Sequence, residues 1–263
     1  MMLYGHRGAK GEAPENTVAG FVHAWRHGIR RFEMDLVLSR DGIPMVIHDL
    51  SVDRTTRQKG KIAQFTAREL SAMDARRNTA AWPGVTPIPR LSDVLDVIAG
   101  FEHLQLEVKS DQHARLNPLC NRLIELVQAH HWHERITLTS ADTWFLREVR
   151  RRDPSISTGL VAEHRFPNPL STALKLGCTH LILNWKLCNN TLIENSHRNG
   201  VHVSVWTVNS IHDMLQLEQM GVDSIITDYP TSSRLYFENR LRVGGAPIPH
   251  NLGPTPEAPV TAS

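Results

Sequence analysis

Long hydrophobic runs are missing from this chain. Nowhere do about 18 apolar residues follow one another, so nothing in it reads as a membrane-spanning helix. Cysteine is scarce. The three present, Cys120, Cys178 and Cys188, show no C-x-x-C spacing, and an odd count argues against a disulfide framework. Cys120 falls in an apolar helical run and Cys178 opens a strand-like one, so buried, reduced thiols are expected. Neither sign of charge dominates. With 29 Lys and Arg against 27 Asp and Glu, the formal charge is +2, which gives no particular attraction to nucleic acid or to an anionic membrane. The N-terminus lacks an apolar leader and instead carries Arg7, Lys10, Glu12 and Glu15. A cytoplasmic location is therefore the expectation.

What remains is ordinary globular composition, 41% hydrophobic and 21% charged. A chain of 263 residues can form one large α/β barrel or two smaller domains. The second half repeats a unit of amphipathic helix, glycine and short apolar strand. It appears at Leu176-Gly177 before CTHLIL, Asn199-Gly200 before VHVSVW and Met220-Gly221 before VDSIIT, and His27-Gly28 before IRRFEMD shows the same device early on. Glycine just past a helix end is the usual left-handed stop. Strands alternating with helices at this spacing argue for parallel βα units.

Eight strands are predicted at 2–6, 31–35, 104–109, 136–140, 157–161, 180–184, 202–206 and 223–227. Helices are predicted between them near 16–27, 91–99, 114–131, 142–152, 167–176, 190–199 and 210–220. In the first helix Val18, Phe21, Val22 and Trp25 fall at helical spacing and predict one buried stripe. Eight such units point to a (β/α)8 TIM barrel, with an open doubly wound sheet as the rival fold. Residues 36–89 break the alternation: the turn Arg40-Asp41-Gly42, a return strand and a helical piece near 67–75 predict a hairpin and a small insertion after the second barrel strand. One barrel domain over 1–242 is expected, with 243–263, rich in Pro and Gly, as a disordered tail.

Side-chain alternation along a strand concentrates the chemistry. In RRFEMDL, Arg31, Glu33 and Asp35 share one face, and in LQLEVK so do Gln105, Glu107 and Lys109. In a barrel these polar residues would reach the C-terminal mouth, where such folds hold their active sites. Three carboxylates packed together require something positive among them, either a hard divalent cation or a Lys or Arg. Among the fifteen histidines, His6 and His48 stand apart because each ends a strand-like run beside a charged residue, Arg7 or Asp49. His130-His131-Trp132-His133 sits at a polar helix end and reads as surface, as does Arg150-Arg151-Arg152. His180, His197 and His202 carry no chemistry in this reading.

The string HRG, five residues, then PENT (His6 to Thr17), followed by Glu33-x-Asp35, His48-Asp49 and Glu107-x-Lys109, resembles the glycerophosphodiester phosphodiesterases. The resemblance runs to about residue 235 and includes Arg54-Thr55-Thr56, Trp206-Thr207 and Thr227-Asp228. It implies a barrel with a small insertion and one divalent cation, Mg²⁺ or Ca²⁺ with Mn²⁺ as a further candidate, bound by Glu33, Asp35 and Glu107. It also implies that His6 and His48 form the acid–base pair and that Arg7 and Lys109 hold the phosphate. Glu15 and Asn16 would shape the mouth, Glu15 within reach of the substrate, and Trp206 would pack against glycerol. The implied substrate is a small glycerophosphodiester, cleaved to glycerol 3-phosphate and an alcohol. Two rivals are a lysophospholipase D, for which Trp82, Trp185 and Phe166 are the candidate apolar rim, and a barrel that only binds. The resemblance leaves the head group and the oligomeric state open.

Overall fold

Each barrel strand is a short, mostly apolar run whose neighbours are set by register. The computed structural model describes residues 1–79 and 81–243. The strands are β1 (Met2–His6), β2 (Arg31–Leu38), β3 (Pro44–Val46), β4 (His103–Val108), β5 (Ile136–Ser140), β6 (Ser157–Ala162), β7 (His180–Asn184), β8 (His202–Trp206) and β9 (Ser224–Thr227). Their order is β1-β9-β8-β7-β6-β5-β4-β2-β3, and a β1–β2 pairing closes the ring. All barrel pairings are parallel; β3 alone is antiparallel, folded back on β2. This is a closed eight-stranded parallel barrel, which rules out the open-sheet alternative because β1 contacts both β2 and β9.

The helices are α1 (Val18–Arg26), α2 (Ala67–Leu70), α3 (Leu91–Val97), α4 (His113–Ala129), α5 (Thr143–Arg152), α6 (Pro169–Leu176), α7 (Asn190–Arg198), α8 (Ile211–Gln219) and α9 (Pro230–Val243). Several starts carry side-chain caps: Thr17 accepts from Gly20 N, Asp142 from Trp144 N and Phe145 N, and Ser210 from Asp213 N. Helix α6 stops at Gly177 in the left-handed conformation. Phe32, Met34 and Leu36 point outward from β2 and are fully buried, and Phe32 meets Phe21 of α1 edge-to-face at 5.5 Å. The stripe of α1 centres on Gly20, Phe21 and Ala24, with Val18 and Trp25 at its margins, a shift of one residue from the periodicity reading. Helix α9 was not predicted: in PTSSRLYFENRLRV the large apolar residues Leu235, Tyr236 and Phe237 are consecutive rather than spaced three or four apart. Leu235 and Tyr236 remain exposed while Phe237 packs on the core.

The segment after β2 forms its own small core, with Val37, Met45, Ile47, Val52, Ile62, Leu70 and Ile88 packed together. It stands over the mouth next to β1 and β2. The expected tail, beyond Val243, lies outside the described residues. All three cysteines are unpaired; Cys120 and Cys178 are buried and Cys188 is half-buried.

Candidate active site

Register places the polar side chains. His6, the last residue of β1, lies opposite Glu33 of β2, and Asp35 of β2 lies opposite Glu107 of β4. Three adjacent strands therefore deliver one histidine and three carboxylates to one spot. Lys109 follows directly after β4, and its ammonium group contacts Asp35 Oδ1 at 2.8 Å and also pairs with Glu107. One oxygen from each of Glu33, Asp35 and Glu107 falls within 4.8 Å of the others.

The loop from His6 to Thr17 has a job for nearly every residue. Arg7 and Asn16 both take left-handed backbone conformations, φ 50° and 53°, which cost about 1–2 kcal/mol each in ordinary residues. Gly5 has no room for a side chain, because a Cβ there would lie 2.1 Å from the Gly8 carbonyl oxygen. Asn16 N donates to Arg7 O at 2.9 Å, which closes the loop. The Arg7 guanidinium donates from Nη1 to Glu15 Oε1 (2.8 Å), and its Nε lies 3.0 Å from Asp35 Oδ2. Asn16 Nδ2 donates to Asp35 Oδ2 at 2.7 Å. Thr17 Oγ1 donates to Pro14 O at 2.8 Å and caps α1.

Glu15 departs from expectation. It is buried at 3% exposure and does not line the cavity. Its carboxylate accepts from Arg7, twice from Arg54 and once from Asn78, all at 2.8 Å. Burial alone would raise its pKa, but Arg54 and Arg7 bring it down to about 2. Glu15 thus braces two arginines behind the cavity wall.

Both histidines are held through the same nitrogen. His6 Nδ1 contacts Asp228 Oδ1 at 2.6 Å, and His48 Nδ1 contacts Asp49 Oδ1 at 2.6 Å. A carboxylate accepting from Nδ1–H leaves Nε2 as the free lone-pair nitrogen of the neutral ring. His6 Nε2 lies 3.8 Å from Glu33 Oε2. The two carboxylates are themselves anchored, Asp228 by Asn209 Nδ2 (2.9 Å) and Asp49 by Arg54 Nε (2.8 Å). Burial lowers the pKa of both histidines, with the Arg7 charge adding to the shift. The sequence marks Asp49 only as the charged neighbour of His48 and gives Asp228, just after β9 and 222 residues from His6, no role beyond the Thr227-Asp228 pair.

Electrostatics favour a cation among the acids. Burial raises the pKa of Glu33 well above the carboxylate range, and the Asp35 and Glu107 charges raise it further. Glu107 is likewise raised by burial, whereas Asp35 is held low because Lys109 and Arg7 outweigh its burial. Glu33 Oε1 is buried without a hydrogen-bond partner among the described residues, and Asp35 Oδ1 meets only the Lys109 ammonium. Three clustered carboxylates, one of them with an unsatisfied buried oxygen, fit a hard, oxygen-preferring divalent cation. His6, Arg7, Glu33, His48, Glu107 and Lys109 line one cavity, and Trp206 at the end of β8 closes it with a buried indole N–H that has no partner among the described residues.

These features define a TIM-barrel enzyme whose mouth combines carboxylates, cations and two oriented histidines, a setting for an anionic ester. The profile of the Glycerophosphoryl diester phosphodiesterase family matches residues 6–232, and the chain belongs to that family. It is 32% identical over 246 residues to a glycerophosphodiester phosphodiesterase of Caldanaerobacter subterraneus, covering 93% of this chain and 99% of the relative. A glycerophosphodiester phosphodiesterase of Bacillus altitudinis is 27% identical over 232 residues, 87% of this chain and 94% of the relative. A phosphodiesterase of Oleispira antarctica, solved with the product sn-glycerol 3-phosphate, superposes with a TM-score of 0.82 at 26% identity, covering 90% of this chain and 97% of that one.

Proposed function

We propose that the chain hydrolyses glycerophosphodiesters to glycerol 3-phosphate and an alcohol, using a divalent cation and two histidines. The pair of Nδ1-anchored histidines at the mouth carries the reading, because cleaving a diester needs one proton taken and one given. Glu33, Asp35 and Glu107 would hold Mg²⁺ or Ca²⁺, which when bound supplies positive charge to a nonbridging phosphate oxygen. Arg7 and Lys109 supply charge of their own. Arg7 makes no hydrogen bond through Nη2 among the described residues, and Lys109 sits on the cavity wall. As negative charge builds on the phosphate, both cations stabilise it without moving far. One histidine Nε2 accepts the proton of the attacking hydroxyl, and the other protonates the departing alcohol oxygen. The unpartnered Trp206 N–H and ring face suit the glycerol moiety.

The deciding measurement is a coupled glycerol 3-phosphate assay on glycerophosphodiesters after EDTA treatment, with Mg²⁺, Ca²⁺ or Mn²⁺ added back. Activity lost to EDTA and restored by at least one ion is the expected result. Undiminished turnover in EDTA would remove the metal from the reading, and no turnover of any diester with any ion would remove the activity.

A further inference from the structure

A second cavity of about 440 Å³ opens beside the catalytic one. Its walls are the end of β6 (Leu160, Val161, Ala162), the following loop through Pro167 and Pro169, and Thr143 and Thr172 of the flanking helices. The two cavities adjoin, because Val161 and Glu163 line both. Glu163 is exposed at this junction and forms no ion pair among the described residues. Phe166, at the rim, is 90% exposed. The other two apolar rim candidates are engaged elsewhere: Trp82 stands edge-on to His23 of α1 at 5.8 Å, and Trp185 packs on the barrel core.

The phosphate would stay with Arg7 and Lys109, since the Glu163 carboxylate repels it. What extends past Glu163 is then the alcohol. A polyol would need several hydrogen-bonding groups close together, and beyond Glu163 this wall offers His164 and two threonines among Leu, Val, Ala, Pro and Phe. A primary ammonium brings three N–H donors, more than Glu163 satisfies alone where the wall beside it is apolar. A quaternary ammonium has no donors; its methyl groups suit apolar walls, and its charge is drawn to a carboxylate and an aromatic face. A long acyl chain would find the carboxylate at its entrance unfavourable.

We propose that this pocket receives the alcohol half of the diester and selects a trimethylammonium alcohol, with Glu163 and Phe166 as the specificity-determining residues. The inference rests on the phosphodiesterase reading above. Its test compares kcat/KM of the metal-replete enzyme on glycerophosphocholine, glycerophosphoethanolamine, glycerophosphoglycerol and lysophosphatidylcholine. The wild type should favour glycerophosphocholine over glycerophosphoethanolamine by about tenfold. Glu163→Gln and Phe166→Ala should each bring that ratio below about threefold, mainly through KM, while thermal unfolding confirms that both variants fold. A wild-type ratio within about threefold, or variants that keep the full ratio, would overturn the assignment. Faster turnover of lysophosphatidylcholine than of glycerophosphocholine would overturn it too, giving the pocket to an acyl chain. If none of the four diesters is turned over, the phosphodiesterase reading falls and the subsite with it, whereas turnover without selectivity sinks the subsite alone.

Discussion

Asp228 and Asp49 decide what His6 and His48 can do. An imidazole free to rotate presents either nitrogen, but a carboxylate on Nδ1 fixes the tautomer and aims Nε2 at the cavity. His6→Ala and His48→Ala should each lower kcat/KM by about 10²-fold or more, and a loss below about threefold in either would refute its role in proton transfer. Asp228→Asn keeps the shape but loses the charge that favours Nδ1–H. It should lower kcat by about tenfold or more and displace the pH–rate profile, with KM little changed. An unchanged pH profile would reduce Asp228 to a structural support. Glu15 shows the same logic one step further out. It never reaches the cavity, yet Arg7 and Arg54 both take their orientation from it, and Arg54 in turn holds Asp49.

Helices here are set by their ends as much as by their faces. The Asp142 carboxylate accepts from two backbone N–H groups at the start of α5. Its first turn holds no acid, and its last turn carries Arg150, Arg151 and Arg152, which complement the negative end of the helix dipole. Arg151 and Arg152 are also tied to Glu148, and Arg152 reaches across to Asn117 and Asn121 of α4, so the triple-arginine run serves its own helix and its packing. Asp142→Ala should cost about 1 kcal/mol in urea-induced unfolding, because two backbone N–H groups lose their acceptor. A change under about 0.3 kcal/mol would mean that packing by Phe145, Leu146 and Val149 holds the start of α5 without the cap. Helix α9 is the converse case, an element whose sequence gives little sign of it and which packs against β1 through Phe237.

At the scale of the molecule, the barrel is polar at both ends. Its floor holds His103, His180 and His202, with ring centroids 6.2 Å apart for the first two and 4.7 Å for the last two. Tyr4 Oη and Thr137 Oγ1 bond His103, and Ser224 Oγ bonds His202. Burial, and then the neighbouring histidines, push His103 down to about 4 and His180 to about 3. In the unfolded chain a histidine titrates near 6.5, so below that pH the unfolded state binds more protons. Stability contributed by the neutral floor is therefore complete above about pH 6.5 and declines towards pH 4. Each histidine can contribute at most about 1.4 kcal/mol per pH unit in that window. Glu33 and Glu107, with raised values, act in the opposite sense, so comparison with a variant isolates the floor. Urea midpoints between pH 7.5 and 5 should fall more steeply for the wild type than for His180→Gln. Parallel slopes would show that His180 does not titrate on unfolding.

Period and spacing alone carried the barrel, the seven predicted helices and the position of the insertion, because strand alternation and glycine stops are local effects of backbone geometry. The HRG and PENT strings, with the acids and histidines around them, were legible for the same reason: each is a short stretch whose residue types speak of charge and proton transfer. Closure of the ring, the register that sets His6 beside Glu33 and Asp35 beside Glu107, and the pairing of His6 with an aspartate from the last strand are contacts between distant segments. No single segment encodes them; they follow from which strand becomes whose neighbour when apolar outer faces are buried together. The same step turned Glu15 from a substrate contact into a brace for two arginines. The sequence by itself thus determined which chemistry the chain could hold, and only the folded barrel decided which atoms of that chemistry meet.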